Sequence, residues 1–488
     1  MSQNLYALLA SRFSAASGAV GLELENGRQY TFAELEAQTA RYANLLLGLG
    51  LKRGDRVAAQ VEKSAEALFL YLGCLRAGLI YLPLNTAYQQ SEIAYFVGDA
   101  EPAAAFCRAE AGEWFAGVPH RLALDAAKDQ STSFKTVESA GHETACIVYT
   151  SGTTGRAKGA MLTHGNLASN ALALHGFWKF RPGDVLIHAL PLFHVHGLFV
   201  ALHTALLNAS RILFLPRFEA KAVMSRLSHA SVFMGVPTYY VRLLAEAGFD
   251  RDLCKRMRLF VSGSAPLLPE TVHDFRPRTG HTILERYGMT ETGMNTSNPY
   301  DGERRGGTVG VPLPGIEVRV ADAQDRPLKA GEIGGIQVRG PNVMPGYWRL
   351  PDRRKDDFAA DGFFRTGDVG TFDDDGYLSI VGREKDMVIS GGYNVYPKEI
   401  EMLLDELPGV EESAAFGVPH PDFGEAVTVA IVARPGAQLT EAGVIAHVKG
   451  KLANYKVPKR VVFVPELPRN TMGKVIKAEL RKAYAKPA

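Results

Sequence analysis

The stretch Ala145-Cys146-Ile147-Val148-Tyr149-Thr150-Ser151-Gly152-Thr153-Thr154-Gly155-Arg156-Ala157-Lys158-Gly159 decides how the rest of the chain is read. Its first five residues are apolar and rich in strand formers, so a buried strand is expected there. A loop of hydroxyls, glycines and one lysine follows. Glycines let backbone N–H groups approach an oxyanion, hydroxyls donate to it, and the lysine adds charge. The loop is not a Walker A sequence, because Gly152 is followed by Thr153-Thr154-Gly155 and Lys158 by a glycine. Beyond it, Ala160-Met161-Leu162-Thr163-His164-Gly165-Asn166-Leu167 leads into a helix.

Strand and helix signals alternate on both sides. Ala19–Leu24 and Arg28–Tyr30 form a hairpin turned by Asn26-Gly27. Thr31 caps a helix, with Glu34 three residues on as a capping box requires. Strands follow at Arg56–Val61, Ile80–Leu84 and Ala103–Cys107. After the loop they recur at Val185–Leu190, Arg211–Leu215, Val232–Gly235, Leu259–Ser264 and Thr282–Tyr287. Such alternation predicts an α/β fold with parallel sheets, whose ligands lie beyond the carboxyl ends of the strands. From about residue 308 short strands and glycines mark a β subdomain, and from about 383 a small α+β unit begins. The expected layout is a large multi-layer N-terminal domain over 1–384 and a small mobile α+β C-terminal domain over 385–488.

With 488 residues the chain exceeds one ordinary domain, and 46% hydrophobic with 22% charged residues fits a globular protein. A net charge of +2 without a basic run gives no electrostatic footprint for nucleic acid. Four scattered cysteines form no Cys-x-x-Cys pair, which argues against a zinc site or a disulfide framework. No apolar run reaches the length of a membrane span, and the N-terminus lacks a signal-peptide pattern. A cytoplasmic enzyme is expected.

Five stretches, in order, resemble the adenylate-forming superfamily of acyl-CoA synthetases, luciferases and peptide-synthetase adenylation domains. They are Thr150–Gly159, Tyr287-Gly288-Met289-Thr290-Glu291-Thr292, Phe364-Arg365-Thr366-Gly367-Asp368, Gly382-Arg383-Glu384-Lys385-Asp386, and Pro468-Arg469-Asn470-Thr471-Met472-Gly473-Lys474. Pro191-Leu192-Phe193-His194-Val195-His196-Gly197 and Glu285–Ser297 are similar to the malonyl-CoA synthetases within it. The resemblance implies that ATP, Mg²⁺ and CoA are used to make a thioester through an acyl-adenylate. It makes Thr150, Ser151, Gly152, Thr153, Thr154, Gly155 and Lys158 the phosphate cradle and Glu291, beside Thr290, the Mg²⁺ ligand. Ser264, Ala265, Pro266, Glu285, Tyr287, Gly288 and Met289 line the adenine side; Asp368 and Arg383 hold ribose or phosphate. Lys474 becomes the catalytic lysine and Lys385 the hinge. Ser390, Gly391, Gly392 and Tyr393 would be presented to CoA after the small unit rotates. The same charge makes Lys474 a target for a lysine acetyltransferase and deacetylase.

Many relatives carry glycine where this chain has Arg286. A buried guanidinium is costly unless paired, and a dicarboxylate would pair it bidentately. Arg242 and Arg286, helped by Ser264, are therefore expected to hold the distal carboxylate of malonate or methylmalonate. An internal salt bridge is the other reading of each arginine. His194 resembles the gate of the acyl channel, and His196 reads either as substrate wall or as a core histidine. A ligase for a medium-chain or aryl monocarboxylate, or an adenylation enzyme loading a carrier protein, stays open as the alternative.

Overall fold

The computed structural model describes residues 2–150, 157–390, 393–420, 423–449, 451–470 and 473–485. Ser151, Gly152, Thr153, Thr154 and Gly155 of the loop lie outside the described residues, as do Gly391, Gly392, Thr471 and Met472. Two large sheets carry the N-terminal part. One has six strands in the order His120–Leu122, Ala104–Cys107, Arg56–Gln60, Ile80–Pro83, Thr144–Thr150 and Lys158–Thr163. The last pair is antiparallel, with Thr150 opposite Lys158. The segment after the loop is therefore first a strand, and the helix His164–Phe177 starts only at the Thr163 cap. Thr163 Oγ1 accepts from the Asn166 N–H at 3.0 Å, which stops the strand and opens the helix.

The second sheet has nine strands. Its parallel centre runs Leu284–Met289, Leu259–Ser262, Val232–Gly235, Val185–His188, Arg211–Phe214 and Val20–Leu24. The helix cap expected from the sequence is present. Thr31 Oγ1 accepts from the Glu34 N–H at 3.2 Å while the Glu34 carboxylate accepts from the Thr31 N–H at 2.7 Å. Ser64 caps Ala65–Ala77, which ends at Gly78 in the left-handed region at φ +69°.

A four-stranded antiparallel sheet follows: Glu317–Ala321, Gly334–Arg339, Phe364–Phe372 and Leu378–Arg383. The C-terminal part is a sheet of Val388–Ser390, Tyr393–Val395, Val410–His420, Gly424–Ala433 and Arg460–Phe463, with helices Pro397–Asp405, Glu441–Lys449 and Lys477–Tyr484. One apolar cluster runs from Leu5 through Phe69, Tyr71 and Trp178 to Leu378, joining both large sheets to the β subdomain. The C-terminal strands bury their own clusters, around Val429 and around Phe416. Among the described residues, no helix is long and apolar enough to cross a membrane.

Candidate active site

Described residues of the five signature stretches come together: Thr150 meets Glu291, Tyr287 meets Asp368, and Lys474 lies within reach of the charges of Arg383 and Asp368. Strand pairing sets Asp368 opposite Arg383 in the β subdomain. Arg383 Nε lies 2.9 Å from Asp368 Oδ1, and Tyr287 Oη donates to Asp368 Oδ2 at 2.6 Å. The carboxylate is buried, and its charge holds the Arg383 guanidinium above its ordinary range. A carboxylate offers about four acceptor positions, so Asp368 keeps capacity for further donors.

Residues Met289 to Gly293 close a hairpin between Leu284–Met289 and Gly293–Ser297, which places Thr290 and Glu291 at its tip. Glu291 is buried; Tyr347 Oη donates to its Oε1 at 2.8 Å and Thr150 Oγ1 at 3.4 Å. Burial pushes the Glu291 carboxyl up. A buried carboxylate whose side-chain partners among the described residues are hydroxyls has the chemistry of a ligand for a hard cation. Lys158 is buried on the neighbouring strand, its Nζ 4.9 Å from the Tyr347 ring centroid. Tyr347 thus joins Lys158 to Glu291. No sequence pattern points to it, because a lone tyrosine in a Pro/Gly-rich segment matches no spacing.

A second polar cluster surrounds Arg286. Arg286 is only 4% exposed, and its Nε and Nη2 have no hydrogen-bond partner among the described residues. No salt bridge among the described residues reaches it, so the internal-pair reading is not supported there. Burial pulls its pKa down to about 9, which leaves it cationic near neutral pH. Gly263 makes room for it: a Cβ there would sit 2.4 Å from Arg286 Cζ. Around the guanidinium stand His194, His196 and Tyr240, each shifted by the arginine's charge. Burial, then that charge, holds His194 down at about 4 and His196 well below its usual range, so both imidazoles are neutral. His196 Nδ1 lies 3.3 Å from Ser264 Oγ, and its Nε2 has no partner. Ser264 itself is held at φ +73°, an uncommon conformation for a residue with a side chain. His196 is carried by a π-helical turn, His196–Ala201, that packs on Pro191. A Cβ at Gly197 would lie 2.0 Å from Pro191 O, so only glycine fits.

Arg242 is exposed on the helix Pro237–Leu244, whose buried face is Pro237, Tyr240 and Leu243. It shares a helix face with Thr238, one turn earlier, at the seam with the C-terminal part. On the adenine side, Ala265 is half-buried and Pro266 exposed. Glu285 accepts from the Leu267 N–H at 3.4 Å, and burial pushes its carboxyl up to about 7. Gly288 and Met289 continue the hairpin.

Lys474 comes from the C-terminal part. Its N–H donates to Asn470 Oδ1 at 2.9 Å, and the preceding Gly473 packs against Thr238. Burial and the neighbouring Arg383 pull its ammonium down to about 8, against the opposing pull of Asp368. The lysine thus faces the Asp368–Arg383 pair across the seam. Ser390 is buried and the exposed Tyr393 stacks on Tyr455 with ring centroids 4.7 Å apart; neither touches the nucleotide residues. Lys385 is exposed between the two parts.

The buried Glu291 and Arg286 thus stand in one of two regions that a family comparison matches separately and Lys474 in the other, with the paired Asp368 and Arg383 between them. The AMP-binding enzyme family matches residues 12–348 and its C-terminal domain residues 399–474, and the chain belongs to that family. It is 33% identical to the malonate–CoA ligase of Arabidopsis thaliana, over 99% of this chain and 89% of that protein. It is 50% identical to MatB from Rhodopseudomonas palustris, over 99% of both chains, with a TM-score of 0.97 to the ATP-bound structure. The apo structure of that relative gives 0.86.

Replacing Gly263 by alanine would push the Arg286 guanidinium from its place. Acid-dependent ATP–pyrophosphate exchange is expected to fall about 10- to 100-fold while ATP affinity, measured by titration calorimetry, stays within about twofold.

Proposed function

We propose that the chain is an ATP-dependent malonyl-CoA synthetase, converting malonate, ATP and CoA to malonyl-CoA, AMP and pyrophosphate, and that methylmalonate is also accepted. The observation that carries this reading is the buried Arg286 guanidinium with two unpartnered N–H groups and no carboxylate beside it. An aliphatic or aryl monocarboxylate would leave that charge uncompensated; the distal carboxylate of a malonate would satisfy it. The neutral His196 and Ser264 hydroxyl complete a polar wall. The names of the relatives agree with this choice.

In the first half-reaction the reactive carboxylate oxygen attacks the α-phosphorus of ATP, the bond to the β-phosphate oxygen breaks, and pyrophosphate leaves. Two anions must meet, so positive charge placed between them is the main requirement. Lys474 supplies that charge, and Asp368 with Arg383 orients the ribose. Mg²⁺ bound with the nucleotide would sit on Glu291 and neutralise phosphate charge. In the second half-reaction the CoA sulfur attacks the acyl carbon and AMP leaves. We further infer that residues 385–488 turn about Lys385 between the two steps, which brings Ser390 and Tyr393 toward CoA. Acetylation of Lys474 by a lysine acetyltransferase would remove its charge and stop the first step, and a deacetylase would restore it. Four cysteines that are free and buried suit a cytoplasmic setting.

An exchange assay over malonate, methylmalonate, hexanoate and coumarate tests the acid. Malonate is expected to support the fastest exchange, and Arg286→Ala to lower kcat/KM for malonate about 30-fold or more. Strong exchange with hexanoate or coumarate and none with malonate would contradict the assignment.

The lysine gives a pH signature. Its ammonium is needed charged, the charge is lost as pH rises through about 8, and exchange should therefore decline above that pH. Lys474→Ala should cost about 10²- to 10³-fold. In Lys474→Arg, which stays protonated, the alkaline decline should vanish from the residual rate.

A further inference from the structure

Arg434 ends the strand Gly424–Ala433 of the C-terminal part, and Glu270 lies in the first turn of the helix Pro269–Thr279 of the N-terminal part. Arg434 Nη2 pairs with Glu270 Oε2. Among the described residues it is the one salt bridge whose partners lie on opposite sides of Lys385. Each end is pre-ordered. Arg434 Nε donates to Val410 O at 3.1 Å, and Glu270 sits where a helix favours negative charge. The helix that carries Glu270 begins just beyond the Ser264-Ala265-Pro266 loop. Elsewhere on the seam Gly473 lies against Thr238, next to Lys474.

We propose that the Glu270–Arg434 pair is a latch that positions Lys474 for the adenylation half-reaction and is broken for the thioester half-reaction. The proposal rests on the role given above to Lys474. A contact made in only one of two arrangements shifts their balance by its own free energy. Both side chains are about half exposed, 45% for Arg434 and 52% for Glu270, so the pair is weak. Weakness suits a contact that must break at every turnover, since a strong pair would trap the enzyme before CoA reacts.

Two assays separate the half-reactions. One is malonate-dependent ATP–pyrophosphate exchange. The other is CoA-dependent AMP release from enzyme preloaded with malonate and ATP in the presence of pyrophosphatase. Glu270→Ala is expected to lower exchange about two- to fivefold, and Glu270→Arg to lower it further. AMP release on addition of CoA should stay constant or rise. The double reversal Glu270→Arg with Arg434→Glu should recover exchange, and the wild-type advantage over Glu270→Ala should shrink at 0.5 M salt, which screens exposed pairs. Exchange unchanged in Glu270→Arg, an equal fall in both assays, or no recovery in the double reversal would overturn the latch. Intact exchange in Lys474→Ala would overturn the underlying role of the lysine, and the latch with it.

Discussion

The site is organised by an unpaired charge. Arg286 sits on a central strand, almost fully buried, with two of its donors unpartnered. Removing a charge from water costs several kcal/mol unless something compensates it. Evolution of a core favours discarding such a group, and the surrounding residues instead accommodate it. Gly263 omits a side chain so that the guanidinium fits, Gly197 lets the His196 turn pack on Pro191, and Ser264 takes a left-handed conformation beside His196. Several separate local costs at one place are explained together by a ligand that brings the missing negative charge. The neighbouring histidines are neutral first because they are buried, and the nearby cation disfavours a second charge further.

The nucleotide side follows a different logic, in which charges are already paired. Asp368 is held by Arg383 and Tyr287, each from a different sheet, so the carboxylate is fixed before ribose arrives. Arg383 is also the last residue of its strand and lies two residues before Lys385. The proposed nucleotide grip and the proposed hinge are thus one short piece of chain, and the Lys474 ammonium answers to the same Arg383 and Asp368 charges. Fixed dipoles and charges of this kind cost no reorganisation when phosphoryl charge develops.

Much of this was legible in the sequence where a local rule governs it. The Thr31 cap, the strand runs and the change of texture near residue 308 follow from capping chemistry and periodicity, and the structure has them. The strand Lys158–Thr163 was not seen, since Ala160-Met161-Leu162 is a short apolar run that periodicity alone cannot assign. Arg286 was legible because a charge in an apolar strand is conspicuous. The outward position of Arg242 had a signal too: Pro237, Tyr240 and Leu243 at threefold spacing put it on the outer face. Tyr347 and Glu270 act through contacts across more than fifty residues of sequence, which no spacing rule reports.

The central claim is that the two free donors of Arg286 are meant for a substrate carboxylate. A crystal structure with malonate and a non-hydrolysable ATP analogue tests it most directly. The account predicts the distal carboxylate within hydrogen-bond distance of Arg286 Nε and Nη2, with the proximal one directed toward the α-phosphate. A distal carboxylate bound elsewhere, with those donors still unpartnered or turned onto the protein, would contradict it.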